Sequence, residues 1–106
     1  MIPIDFSGQV VLVTGGASGL GFAISEAFGR AGATIALNDR SPDRAERAAG
    51  ELSRAGTACR GFTADVRDAM AVRSMVDRVV TELGPPAVTV VNAGIYPNTP
   101  FLELPE

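Results

Sequence analysis

From Val11 to Ser25 the chain reads VLVTGGASGLGFAIS, with glycine at 15, 16, 19 and 21. The apolar run Val10 to Val13 precedes them, and its length and β-branching suit a strand buried on both faces. After them Leu20, Ile24, Ala27, Phe28 and Ala31 recur at helical spacing, and Gly32 stands where a helix ends. A strand that breaks into glycine and re-forms as a helix leaves the first N–H groups of that helix unpaired, at the positive end of its dipole. Glycines let the turn close and let an anion such as a pyrophosphate approach the backbone without meeting a Cβ. Ser18 adds a hydroxyl donor. The chain therefore opens with a β-α unit whose turn is an anion cradle, and the rest of the fold has to be compatible with it.

The remaining sequence repeats that unit. Thr34 to Leu37 predicts a second strand, closed by Asn38-Asp39. Ser41-Pro42 reads as an N-cap with proline at the first helical position. Ala45, Ala48, Ala49 and Leu52 give the next helix a narrow small-residue face, and Gly56 ends it. Thr57 to Ala64 predicts a third strand, although Arg60 and Gly61 weaken its pattern. Asp68 suits the N-cap of a third helix, in which Val72, Met75, Val76, Val79, Val80 and Leu83 follow helical spacing. Gly84-Pro85-Pro86 stops it, and Val88 to Val91 predicts a fourth buried strand ending in Asn92-Ala93-Gly94. The order β-α-β-α-β-α-β with helix-length connections implies an α/β fold, a parallel sheet with right-handed crossovers. One domain over residues 1–106 is expected. In open parallel sheets ligands bind beyond the carboxyl ends of the strands, where Asn38-Asp39, Asp65-Val66 and Asn92-Ala93-Gly94 fall.

Composition narrows the functions this fold can serve. The formal net charge is −3, without the basic footprint of a nucleic-acid binder. All nine basic residues are arginine, and neither lysine nor histidine occurs. Cys59 is the single cysteine. It excludes an intramolecular disulfide, leaves no ligand set for zinc, and is read as a core strand residue. A reducing cytoplasm fits this usage. The N-terminus lacks the basic and apolar regions of a signal peptide, and no apolar run approaches a membrane span.

The loop spacing Thr14-Gly15-x-x-x-Gly19-x-Gly21 resembles that of the short-chain dehydrogenase/reductase family. Three further matches stand in register: Asp39 after the second strand, Asp65-Val66 after the third and Asn92-Ala93-Gly94 after the fourth. The tail PFLELPE is similar to the segment leading into that family's next helix. The resemblance implies a Rossmann-type doubly wound sheet, truncated after its fourth strand, that binds NAD(P). Gly15, Ser18, Gly19, Leu20 and Gly21 would hold the pyrophosphate and adjoining ribose. Asp39 would accept from the adenosine ribose hydroxyls, Asp65 and Val66 would contact adenine, and Asn92, Ala93 and Gly94 would line the nicotinamide side. Read on their own, Asp39 also fits a turn acid and Asp65 a helix cap. A carboxylate at Asp39 would meet the extra phosphate of NADP as a like charge, so NAD is expected over NADP. Arg40, next to it, could turn toward that phosphate.

The same family transfers hydride between the nicotinamide and a carbonyl or alcohol with a serine and a Tyr-x-x-x-Lys pair lying beyond the Asn-Ala-Gly strand. No residue here fills the lysine, and Tyr96, the only tyrosine, is followed four positions later by Pro100. An unperturbed tyrosine titrates near pH ~10, so Tyr96 reads as an apolar wall of the cleft. No catalytic residue is assigned within the chain. The expectation is the cofactor-binding half of a longer enzyme, with the fourth strand as an apolar sheet edge open to self-association. The alternative is a non-catalytic nucleotide-binding or sensor module, or a subunit completed by another chain.

Overall fold

The computed structural model describes residues 5–92. Seven elements alternate along them: β1 (Val10–Val13), α1 (Gly19–Arg30), β2 (Thr34–Asp39), α2 (Pro42–Arg54), β3 (Cys59–Thr63), α3 (Ala69–Glu82) and β4 (Pro86–Val90). All strand pairs are parallel and the sheet order is β3-β2-β1-β4. The expected βαβαβαβ sheet of Rossmann type is present through its fourth strand.

Side-chain alternation along β1 explains how the helices distribute. Val11 and Val13 point to one face, where they pack with Ile35, Leu37, Ala45, Ala48 and Leu52 against α1 and α2. Val10 and Leu12 point to the other, with Ala36, Phe62, Met75 and Val79 under α3. The near-continuous apolar reading of β1 and β2 follows from this two-sided covering.

The helix starts obey the cap residues. Ser41 Oγ accepts from Arg44 N, with Pro42 in the first turn, and Asp68 accepts from the backbone N–H groups of Met70 and Ala71. Asp68, not Asp65, is thus the cap of α3. The α3 face seen in the sequence meets the sheet through Met75 and Val79, both fully buried.

Three strand boundaries depart from the sequence reading. β2 continues two residues beyond Leu37, because Asn38 and Asp39 are buried polar residues that hydropathy does not mark as strand. β3 is shorter than Thr57 to Ala64. Its two weak residues each have a reason: Arg60 lies outward and pairs with Glu82 at 2.8 Å, and a Cβ on Gly61 would come within 3.1 Å of the Ala45 carbonyl of α2. β4 begins at Pro86, with an irregular register between Val10 and Val11, and it is not buried on both faces. Val88 and Val90 pack toward α1, whereas Ala87 and Thr89 are exposed, since β4 is the edge of the described sheet.

Replacing Asp68 with alanine removes the acceptor for two N–H groups. Stability falls by about 1 kcal/mol, measured as a lower urea midpoint at unchanged slope.

Candidate functional site

The glycine loop joins β1 to α1 at the carboxyl edge of the sheet, and its glycines do different work. Gly15 has φ +61° and lies against the backbone carbonyl of Asn92; a Cβ there would collide with it. A Cβ on Gly21 would run into the Gly15 carbonyl and stand 2.7 Å from Asn92 Nδ2. These two positions are closed by packing. Gly19, the first residue of α1, has nothing within 4 Å of where its Cβ would be. It is the loop glycine that faces open space. There α1 begins without a side-chain cap, and the Ser18 hydroxyl donates to the Gly15 carbonyl at 3.2 Å. The Ser18 hydroxyl is therefore engaged within the loop. Leu20, 68% exposed, flanks the same opening.

Asn38, to which sequence reasoning gave no role of its own, fastens the loop. Its Nδ2 donates to the carbonyls of Phe62 and Ala64 at 3.2 and 3.1 Å. On the other side its Oδ1 and its backbone carbonyl accept from Gly15 N and Gly16 N, at 3.4 and 2.7 Å. Just beyond β4, Asn92 N donates to Thr14 Oγ1 at 2.9 Å and Asn92 Nδ2 to the Gly15 carbonyl at 3.4 Å. The signal for Asn38 was an amide at the end of an apolar strand, a position where only a satisfied polar group is stable.

Asp39 is buried beside the loop, 4% exposed, and its two oxygens differ. Oδ2 accepts from Ser41 N at 2.9 Å and from Arg44, whose Nε and a terminal nitrogen both lie at 3.2 Å. Oδ1 accepts no hydrogen bond from the described residues. Arg44 escaped the sequence reading, although a residue in the first turn after a short strand–helix connection must lie near the strand end. It also lines a cleft of about 340 Å³ with Ala17, Gly19, Phe22, Arg47 and Glu51, between α1 and α2.

The third strand end is built differently. Both Asp65 oxygens are held by Arg67 (Nε to Oδ1 3.1 Å, a terminal nitrogen to Oδ2 2.8 Å), and Arg67 N adds a bond of 2.9 Å to Oδ1. These bonds hold its carboxyl down at about 2. Val66 lines an apolar hollow of about 280 Å³ on the α3 side, with Leu12, Thr14, Met75, Thr89 and Val91 among its walls. The structure thus gathers Gly15, Ser18, Gly19, Leu20, Gly21, Asp39 and Asn92 around one loop. Val66 belongs to the hollow on the other side of the sheet. Ala93, Gly94 and Tyr96 lie outside the described residues. Burial pushes the Cys59 thiol up to about 12, away from nucleophilic reactivity. Among the described residues no group of three or more His, Cys, Asp or Glu side chains could hold a metal ion, and no helix is long and apolar enough to cross a membrane.

Residues 9–106 match the short chain dehydrogenase family. The chain belongs to that family. Among short-chain dehydrogenases it is 37% identical to the 2-dehydro-3-deoxy-D-gluconate 5-dehydrogenase of Formosa agariphila, over 94% of this chain and 38% of the relative. It is 40% identical to the D-threitol dehydrogenase of Mycolicibacterium smegmatis, over 97% of this chain and 41% of the relative. The L-sorbose reductase of Gluconobacter frateurii, solved in complex with NADPH and L-sorbose, superimposes with a TM-score of 0.86 at 33% identity. That match covers 99% of this chain and 40% of the reductase. The chain spans about two-fifths of the length of these short-chain dehydrogenases.

Two outcomes follow from the geometry. Gly21→Ala forces a Cβ into backbone and lowers stability by on the order of 3 kcal/mol, whereas Gly19→Ala leaves it unchanged or raised by about 0.4 kcal/mol; paired thermal melts compare them. By NMR, the Asp65 carboxyl titrates near 2, and in Arg67→Ala its midpoint rises toward the ordinary range. The sign follows from a depressed folded-state pKa: the pair's stabilisation is present above the unfolded carboxylate pKa and is lost as pH falls through the folded one.

Proposed function

We propose that the chain is the dinucleotide-binding half of a short-chain oxidoreductase that moves hydride between NAD(P) and a carbonyl or alcohol. The observation that carries this reading is the open space at Gly19, over the uncapped start of α1, in a loop whose other glycines are filled by packing. A pyrophosphate fits there on both steric and electrostatic grounds. In this reading Gly15 and Gly21 shape the turn, Gly19 gives the phosphates access to the backbone, and Ser18 and Leu20 flank them. Asp39 Oδ1 accepts from the adenosine ribose, Asp65 and Val66 border the adenine, and Asn92, Ala93 and Gly94 lie toward the nicotinamide. Bound nicotinamide supplies the hydride donor or acceptor, and the chain's own residues hold and orient it.

NAD is the favoured form. A phosphate on the adenosine ribose would face the Asp39 carboxylate, a like-charge contact on the order of a few kcal/mol in a partly buried cleft. The NADPH bound to the related sorbose reductase counts against carrying this preference across the family, so the choice rests on the residues around Asp39 here.

A second reading is a nucleotide-binding or sensor module or a subunit completed by another chain, supported by the same open loop at Gly19. It uses the same cleft without hydride transfer.

Calorimetric titration of NAD and NADP into the full chain tests the binding reading. Binding that falls by about tenfold or more in Gly19→Ala, at undiminished thermal stability, is the expected result. Absence of binding by both dinucleotides overturns the reading, and tighter binding of NADP rejects the NAD preference. Consumption of NADH with carbonyl compounds by the whole protein separates the oxidoreductase from the sensor.

A further inference from the structure

The backbone N–H groups of the glycine loop fall into two sets. Those of Gly15 and Gly16 turn inward, onto Oδ1 and the backbone carbonyl of Asn38 at 3.4 and 2.7 Å. Those of Gly19 and Leu20, both at exposed positions, donate to no described residue. Asn38 makes this division with an amide whose orientation is fixed. Its Nδ2 spends both hydrogens on the Phe62 and Ala64 carbonyls at the β3 end. Reversing the amide would set Nδ2 against the Gly15 N–H and Oδ1 against those two carbonyls. The side chain is 1% exposed, so it acts on a ligand only through the loop. Gly15, at φ +61°, is of a residue type that takes φ of either sign, so partners set the direction of its N–H. Its carbonyl is held from the far side by Ser18 Oγ and Asn92 Nδ2.

We propose that Asn38 is a positioning residue for the dinucleotide. It takes the Gly15 and Gly16 N–H groups out of the cleft and leaves those of Gly19 and Leu20 as donors that face the phosphates. The inference rests on the reading that a dinucleotide lies over Gly19. In that reading the β3 end borders the adenine, so one buried amide holds the phosphate-facing donors and the adenine border in a single frame. Without Oδ1 the Gly15 N–H has lost its acceptor, and the loop gives up the arrangement that presents Gly19.

Amide hydrogen exchange and ligand titration, both read by heteronuclear NMR on the full chain, are the experiment. In the unmodified chain the Gly15 and Gly16 amides exchange about tenfold or more slowly than those of Gly19 and Leu20. Added NAD shifts the Gly19 and Leu20 amide signals more than those of Gly15 and Gly16. In Asn38→Ala the Gly15 amide exchanges about tenfold faster and NAD affinity falls by about tenfold or more, while adenosine, which carries no phosphate, stays within about threefold. A loss of fold weakens both ligands together, so the split separates positioning from support. Should Asn38→Ala fail to fold, the exchange and shift pattern of the unmodified chain carries the test. Equal exchange at these amides, or equal weakening of NAD and adenosine in a folded Asn38→Ala, overturns the assignment and makes Asn38 a brace of the sheet alone. If the unmodified chain binds no NAD, the binding reading itself fails and takes this inference with it.

Discussion

The Asn38 side chain holds the carboxyl end of β2 to both of its neighbours. Its amide nitrogen closes onto the β3 end and its Oδ1 accepts from Gly15 N, while the Asn38 backbone carbonyl accepts from Gly16 N. All of this happens in the interior, where an unmade hydrogen bond costs about 1–3 kcal/mol. The loop is consequently clamped before any ligand arrives. Its conformation is set by packing at Gly15, Gly16 and Gly21, and only Gly19 is left for approach. Three glycines of the loop are required by packing, and the fourth is left open.

Charge at the strand ends is arranged with similar economy. Each of the two acids at the carboxyl edge has an arginine a few residues downstream, Arg44 for Asp39 and Arg67 for Asp65. The outcomes differ because the burial differs. Asp65 is solvent-exposed, closes its own turn and has both oxygens taken. Asp39 is enclosed, and its Oδ1 accepts no hydrogen bond from the described residues. Motif position alone treats the two acids alike, and geometry separates them.

The sequence carried much of this fold in its local chemistry. Ser41-Pro42 and Asp68 announced helix starts that the structure places at Pro42 and Ala69, and the apolar spacing from Val72 to Val79 marked the buried side of α3. Strand alternation with helices implied the parallel sheet. What stayed hidden was non-local. Asn38 read as the strand's close because its polarity is satisfied by β3 and the glycine turn, neither adjacent in sequence, and Asp39 because its carboxylate is held by Ser41 N and Arg44 just downstream. Gly61 read as a defect because the Ala45 carbonyl that requires it belongs to another element. β4 read as buried because four apolar or β-branched residues in a row cannot say how many layers will cover them. For the site, spacing located the loop and the acids, but neither the idle oxygen of Asp39 nor its arginine partner.

The contacts of Thr14 and Gly15 with Asn92 have a consequence for the loop as a unit. They join residues 78 and 77 positions apart, and the Asn38 contact to Gly15 spans 23. A stretch that is contiguous in sequence therefore owes its shape to partners scattered over most of the chain. The glycine-rich peptide excised from its surroundings would keep its letters and lose its form. The motif is better regarded as an imprint left by the sheet on a pliable segment than as a self-contained part.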